Sequence, residues 1–406
     1  MLSVLIARNF FETEKKIKHR IVADYAVGDP TFVRTMGQLL GPPLLEGNKV
    51  TMLQNGDEIF PAMLAGIRSA QRTITFENFV LWEGQISHEF AAALAERAHA
   101  GVKVHMLQDA MGCNAVHGCA MNLLRRSPVE LEVFRSLHLS RMNFRTHRKL
   151  LVVDGCHGFI GGVGIADPWL GNGQKRGTWR DSQYHVEGPV VGQLQQAFMD
   201  NWMQTRAEVL HGDDYFPELT RVGDDVCQVF KSSASEGADS ARVMLLMSIA
   251  AARRSIRIAN AYFIPDDLCL QMLADASRRG VKVEIITPGE DLDQQVVRMV
   301  GRSRWGPLLE AGVRFYEYQP GRFHCKYMIV DDCWCSVGSA NFDNRSLRLN
   351  EEANLNVLNG DFATEHARVF ENDKGLSREV TFAEWRRRPL REKAIGGLGT
   401  LLRQQL

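Results

Sequence analysis

Apolar positions along the chain recur with two alternating periods. From Asn48, KVTMLQNG reads as a strand and a turn. EIFPAMLAGIRSAQ follows with helical spacing, which puts Ile59, Met63, Ile67 and Ala70 on one side. TITFENFVLW predicts a strand and HEFAAALAERAHA an alanine-rich helix, closed by Gly101 before the strand VKVHMLQD. The second half repeats this order. ARVMLLMSIAAARRS predicts a helix, SIRIANAYFIP a strand, CLQMLADASRRG a helix closed by Gly280, and VKVEIITP a strand. GVKV stands at 101–104 and again at 280–283, and IRSAQRTI at 67–74 is echoed by IAAARRSI at 249–256. Strand–helix–strand alternation implies an α/β fold, a mixed sheet flanked by helices. A repeat of about 180 residues is too long for a solenoid and predicts two similar domains across a pseudo-twofold axis. The expected limits are an N-terminal segment at 1–47, a first domain at 48–217, a second at 218–372 and a tail at 373–406.

The strongest internal echo carries chemistry. Residues 147–164 read HRKLLVVDGCHGFIGGVG, and residues 324–346 read HCKYMIVDDCWCSVGSANFDNRS. His147, Lys149 and Asp154 repeat the spacing of His324, Lys326 and Asp331 at an offset of 177. Each run reads as a buried strand, in which alternate side chains share a face, so each pair aims an imidazole and an ammonium at one spot. A glycine-rich turn closes each run. One neutral imidazole can attack phosphorus and a protonated one can donate to the departing alkoxide. Lys149 and Lys326 would hold the non-bridging oxygens, with hydrogen bonds from Ser339, Asn341 and the amides of Gly161 and Gly162. An acid behind each imidazole would set its tautomer, and Asp181 and Glu352 are the candidates, each downstream of its own motif. Asp154 and Asp331, at the strand ends, suit bracing of the backbone or a part in the site.

This H-x-K-x4-D-x6-G-[SG] pattern resembles the HKD signature of the phospholipase D superfamily. Residues 48–372 are similar to two-HKD members of it, and most to bacterial cardiolipin synthases. The stretches that carry this likeness are NGDEIFPAMLAGI, ITFENFVLW, ANAYFIPDD, WRDSQYHVEGP and SANFDNRSLRLNEEANL. The resemblance implies two α/β domains sharing one active site. It also implies phosphatidyl transfer from phosphatidylglycerol or another phospholipid, through a phosphohistidine and without metal or other cofactor. It implies His147 as nucleophile and His324 as acid and base; the symmetry of the repeat leaves that order open. One departure stands out. The family's first motif ends in an Asn where this chain has Gly164, with Asp167 and Trp169 nearby as substitutes.

Composition narrows the partners. Lys+Arg and Asp+Glu both number 48, so the net charge of zero gives no polyanion footprint and argues against nucleic acid. Eight scattered cysteines form no disulfide framework, and neither Cys113, His117 and Cys119 nor Cys333 and Cys335 have the paired spacing of a zinc site. No apolar run approaches the ~18 residues that span a bilayer. Residues 378–406 carry six Arg, one Lys and three Glu, with Trp385 beside Arg386, Arg387 and Arg388. That tail reads either as a docked terminal helix or as a basic anchor for an anionic membrane surface. The expected place is the cytoplasm, peripheral on the inner face of the cell membrane. A phospholipase D-type hydrolase of lipid or nucleic acid is the rival activity. A catalytically dead binding module is the rival from another class, and two complete His–Lys pairs count against it.

Overall fold

The computed structural model describes residues 17, 19–112, 118–134, 145–232, 240–292 and 294–399. The first half supplies β1 (Leu45–Gln54), β2 (Thr73–Asn78), β3 (Lys103–Asp109), β4 (Glu130–Phe134), β5 (Arg145–Thr146), β6 (Leu150–Val153), β7 (His157–Gly161), β8 (Trp179–Arg180) and β9 (Ser182–Glu187). The second supplies β10 (Asp225–Ser232), β11 (Ser255–Asn260), β12 (Lys282–Pro288), β13 (Arg314–Tyr318), β14 (Arg322–Phe323), β15 (Lys326–Val330), β16 (Trp334–Gly338), β17 (Asn350–Leu358) and β18 (Ser377–Val380).

The strand order repeats outward from the centre. β1 and β10 pair antiparallel there. Beyond β1 come β9, β7, β6, β2, β3 and β4; beyond β10 come β17, β16, β15, β11, β12, β13 and then β18. In each half the three strands joined by helical crossovers are parallel, β2 to β3 to β4 and β11 to β12 to β13. Crossover helices over such strands bury both faces of the sheet. The sequence TITFEN of β2 is accordingly buried at every position. Gly101 and Gly280 close the equivalent helices Gln85–His99 and Asp267–Arg278 with φ of 94° at both.

The helix expected near residue 57 starts earlier. Asn55 has φ 58° and opens the helix Asn55–Ser69 with no intervening turn. Its Gly56 lies so close to Trp169 O that a Cβ there would stand 2.1 Å away. The run QNG therefore leads straight from the strand into a helix rather than through a turn.

Alternation sorts β6 and β15 between cores. Leu151 and Val153 pack into the first half, while Leu150 and Val152 join a central core with Tyr327, Ile329, Val337 and Leu355 of the second half. Met328 and Val330 face the second half's own core. One apolar core thus crosses the midline and holds the halves at fixed distance. Residues 376–397 are docked on the second half. β18 adds to β13, Trp385 Nε1 donates to Arg302 O at 2.6 Å, and Gly396 lies against Ser303 and Met299. Glycines that weaken the helix Leu390–Gly399 allow this close approach.

Candidate active site

Two short parallel pairings decide where the histidines go. β5 runs beside the start of β17, and β14 runs beside β8. The pairing continues for one more residue: His147 N donates to Glu351 O and His324 N to Arg180 O, both at 2.8 Å. Each histidine therefore lies alongside the acid of the opposite half. His147 Nδ1 is 3.0 and 3.1 Å from the two Glu352 oxygens, and His324 Nδ1 is 2.6 Å from Asp181 Oδ2. The acids are those expected, but they are exchanged. The expected uninterrupted strand through each histidine is also broken, since β6 begins at Leu150 and β15 at Lys326.

Buried arginines lock the exchange. Arg180 makes a two-pronged bond to Asp373 at 3.0 Å on both arms, and Arg148 Nη2 reaches Glu351 at 3.1 Å. Forked guanidinium–carboxylate geometry makes such pairs directional. Neither arginine was singled out in the sequence, although each adjoins a site residue.

Both histidines and Lys149 line one cavity of about 490 Å³. Asn341, Ser346, Asn350, Arg145, Arg345 and Asp343 add polar groups to it, and Phe79, Trp82, Trp169, Trp179 and Tyr262 give it aromatic walls. Rings meet the imidazoles edge-on, Phe79 at 5.2 Å from His147 and Trp179 at 4.9 Å from His324. Each lysine is anchored to its own motif, Lys149 Nζ to His147 O at 2.7 Å and Lys326 Nζ to His324 O at 2.5 Å.

The electrostatics follow from burial. Desolvation pushes His324 down to about 3, with Lys326 adding to the effect and Asp181 opposing it. Desolvation also lowers His147, against the pull of Glu352. Burial raises both acids, but more is returned by His324 and Lys326 to Asp181, and by His147 and Lys149 to Glu352, so both stay below the usual carboxylate range. Burial brings Lys149 down to about 7, opposed by Glu352 and reinforced by Lys326.

Several expected phosphate donors serve the acids instead. Gly162 N donates to Ser182 O at 3.3 Å, and a Cβ at Gly162 would stand 2.5 Å from Asp181 Oδ1. Gly161 pairs with Gln183 inside the sheet. Ser339 Oγ donates to Glu352 Oε2 at 2.6 Å and its amide to Ala353 O at 3.0 Å. Gly162 and Ser339 make room for, or hold, a carboxylate, and Gly161 is enclosed by the sheet; Asn341 alone of the expected donors lines the cavity. Asn350 Nδ2 also reaches Glu352 at 3.2 Å. Asp154 and Asp331 stand at the far ends of their strands. Asp154 accepts from the amides of Gln71, Arg72 and Thr73, and Asp331 from Arg253, Arg254 and Ser255. They brace the backbone, the first of the two parts expected of them, and neither lines the cavity as a catalytic group would.

A family model described as "Cardiolipin synthase, PLD-like domain" matches residues 245–374. Cardiolipin synthase A of Pseudomonas syringae pv. syringae (strain B728a) is 35% identical over 359 residues, which is 87% of this chain and 74% of that protein. The chain belongs to the phospholipase D-like cardiolipin synthase family. A cardiolipin synthase of Geobacillus kaustophilus (strain HTA426) is 31% identical over 366 residues, 89% of this chain and 73% of that one. In fold, the chain is similar to phosphatidylserine synthase of Haemophilus influenzae Rd KW20, with a TM-score of 0.67, 13% identity, and coverage of 92% of this chain and 99% of that one.

The departure from the family's motif at Gly164 has a steric cause. A Cβ there would stand 2.7 Å from Val80 Cβ and 3.1 Å from the Trp169 ring. Trp169 fills that space, and its Nε1 donates to Asp181 Oδ2 at 3.1 Å. Asp167 does something else: its carboxylate caps the helix Gln85–His99 through the amides of Gln85 and Ile86 at 3.0 Å. Gly164→Asn is therefore expected to destabilise the fold by roughly 1–3 kcal/mol through overpacking, read as a lowered urea midpoint. An unchanged midpoint would mean that Val80 and Trp169 yield freely.

Cys113 and His117 lie outside the described residues. Cys119, Cys156, Cys227, Cys269, Cys325, Cys333 and Cys335 are free thiols. Among the described residues, one group brings three ligand-type atoms within 4.8 Å of one another: His157, His185 and Glu187, on β7 and β9 and outside the cavity. No described helix is long and apolar enough to cross a membrane.

Proposed function

We propose that the chain transfers a phosphatidyl group from phosphatidylglycerol to a second phosphatidylglycerol, making cardiolipin and releasing glycerol. The observation that carries this reading is a single cavity bearing two imidazoles, each held by a buried acid from the other half. Family membership supports the lipid substrate.

In the first step His147 Nε2 forms a bond to phosphorus and the bond to the departing glycerol oxygen breaks. His324, which burial alone keeps neutral and which the entering phosphodiester anion and Asp181 together favour as the imidazolium, gives that oxygen its Nε2 proton. In the second step the acceptor's hydroxyl proton passes to His324, the new oxygen–phosphorus bond forms, and the nitrogen–phosphorus bond breaks. Glu352 and Asp181 hold each Nδ1–H, which leaves both Nε2 atoms for chemistry. Lys149, Lys326 and Asn341 take the non-bridging oxygens. No step needs a metal ion or other cofactor. The chain works from the surface of an anionic membrane, with the exposed Arg386 and Arg387 facing it, on the cytoplasmic side.

Purified protein with phosphatidylglycerol vesicles is expected to give cardiolipin and glycerol in equal amounts. Phosphatidic acid as the dominant product, without cardiolipin, would assign the hydrolase activity instead.

Lys149 gives the site a pH dependence. Its ammonium is lost as pH rises through about 7. Inhibition by sulfate, whose charge is constant in this range, is expected to weaken about tenfold from pH 6 to pH 8. Lys149→Arg keeps its charge, and a slope as steep in that variant would sink the assignment.

A further inference from the structure

We propose that Arg145 and Arg345 form a second anion subsite in the cavity, which takes the phosphate of the acceptor while its hydroxyl meets the phosphohistidine. The subsite rests on the transfer reading above and names what that reading leaves open, the chemistry that selects the acceptor.

Arg145 and Arg345 both line the cavity with the two histidines, and come from opposite halves of the chain. Arg145 lies in β5, two residues before His147, and both line the cavity. An acceptor of the glycerol phosphate type is short enough to lie within that cavity. Its free hydroxyl oxygen is five bonds from phosphorus, or about 6 Å when extended. The acceptor's phosphate thus stays within the cavity that Arg145 and Arg345 line while its hydroxyl meets the phosphohistidine.

The two arginines are near enough to repel. Burial depresses the Arg345 guanidinium, and the Arg145 charge depresses it further, with Asp343 opposing. Arg145 Nε is buried with no hydrogen-bond partner among the described residues. Asp343 also lines the cavity, but its Oδ1 caps Ser346 N at 2.7 Å, and burial raises its carboxyl to about 6. Asp109, near Arg145, is the other carboxylate of this corner, and it is already held by the amides of Met111, Gly112 and Thr146. Planar guanidinium forks match phosphate oxygens two at a time, which a lysine cannot do.

The chemistry recognised is a phosphate ester three carbons from a free hydroxyl. Two sources offer it, a phosphatidylglycerol headgroup and soluble glycerol 3-phosphate. The full chain is incubated with phosphatidylglycerol vesicles, glycerol 3-phosphate and ethanol together, and the three transfer products are measured in one tube. Ethanol has no phosphate, so product ratios cancel any general loss of rate. In Arg345→Gln and Arg145→Gln, cardiolipin and phosphatidylglycerophosphate are each expected to fall at least about tenfold relative to phosphatidylethanol. The lysine variants should shift less, and they serve if a glutamine variant fails to fold. Unchanged ratios in both arginine positions overturn the subsite. A fall confined to the glycerol 3-phosphate product overturns the lipid as occupant. Wild-type protein that releases only phosphatidic acid refutes the transfer reading itself. In that case, inhibition of hydrolysis by glycerol 3-phosphate that weakens in Arg345→Gln still supports the subsite, and equal inhibition overturns it.

Discussion

His147→Ala and His324→Ala are each expected to lower phospholipid turnover by about three orders of magnitude or more, because nucleophile and proton donor act as a unit. The two imidazoles line one cavity and neither half holds a complete set. The double variant should therefore be little worse than either single one. The variants differ in what they trap. Without His324, attack by His147 can still occur but the intermediate is poorly resolved, so a phosphatidyl adduct should accumulate on the peptide containing His147. An adduct on His324 in the His147→Ala protein, and none in the converse variant, would reverse the order of roles. Near-normal turnover in either single variant would dismiss the shared site.

Loss of an acid should be nearly as severe. Asp181→Asn and Glu352→Gln keep the shape but no longer fix the imidazole tautomer, an effect worth about 10⁴ in a Ser-His-Asp triad. The exchanged pairing makes a sharper claim. Glu352 holds His147 at 3.0 Å, so Glu352→Gln added to His324→Ala should slow adduct formation strongly. Asp181 holds His324 at 2.6 Å, so Asp181→Asn added to the same background should slow it little, its imidazole being already gone. The opposite pattern would mean that each acid serves the histidine of its own half.

Much of this was legible in the chain. Period-two and period-3.6 apolar runs placed the strands Thr73–Asn78, Lys103–Asp109, Ser255–Asn260 and Lys282–Pro288 and the helices between them. Those segments bury a stripe or both faces, so their local pattern and their tertiary role agree. The repeated His–Lys spacing pointed to the two imidazoles that line the cavity. Two residues apart on an extended chain share a face wherever that chain goes.

The partners of those groups were not legible, because spacing says nothing about which half supplies a neighbour. The two-residue strands β5 and β14 are too short to carry a periodic signal, yet their parallel pairing with β17 and β8 exchanges the acids. Free-looking glycines and a serine proved to be space and support for carboxylates, since Gly162 and Ser339 lie against Asp181 and Glu352. Asp154 and Asp331 belong to the repeated motif but tie down backbone amides at the other end of the strand. Arg145 and Arg345 carry no shared pattern, being 200 residues apart on a short strand and a short helix. The sequence by itself determined the α/β halves and the two His–Lys pairs, because those follow from local periodicity. The tertiary structure alone decided which acid orients which histidine and which cations meet in the cavity, because those depend on how two halves dock across a common core.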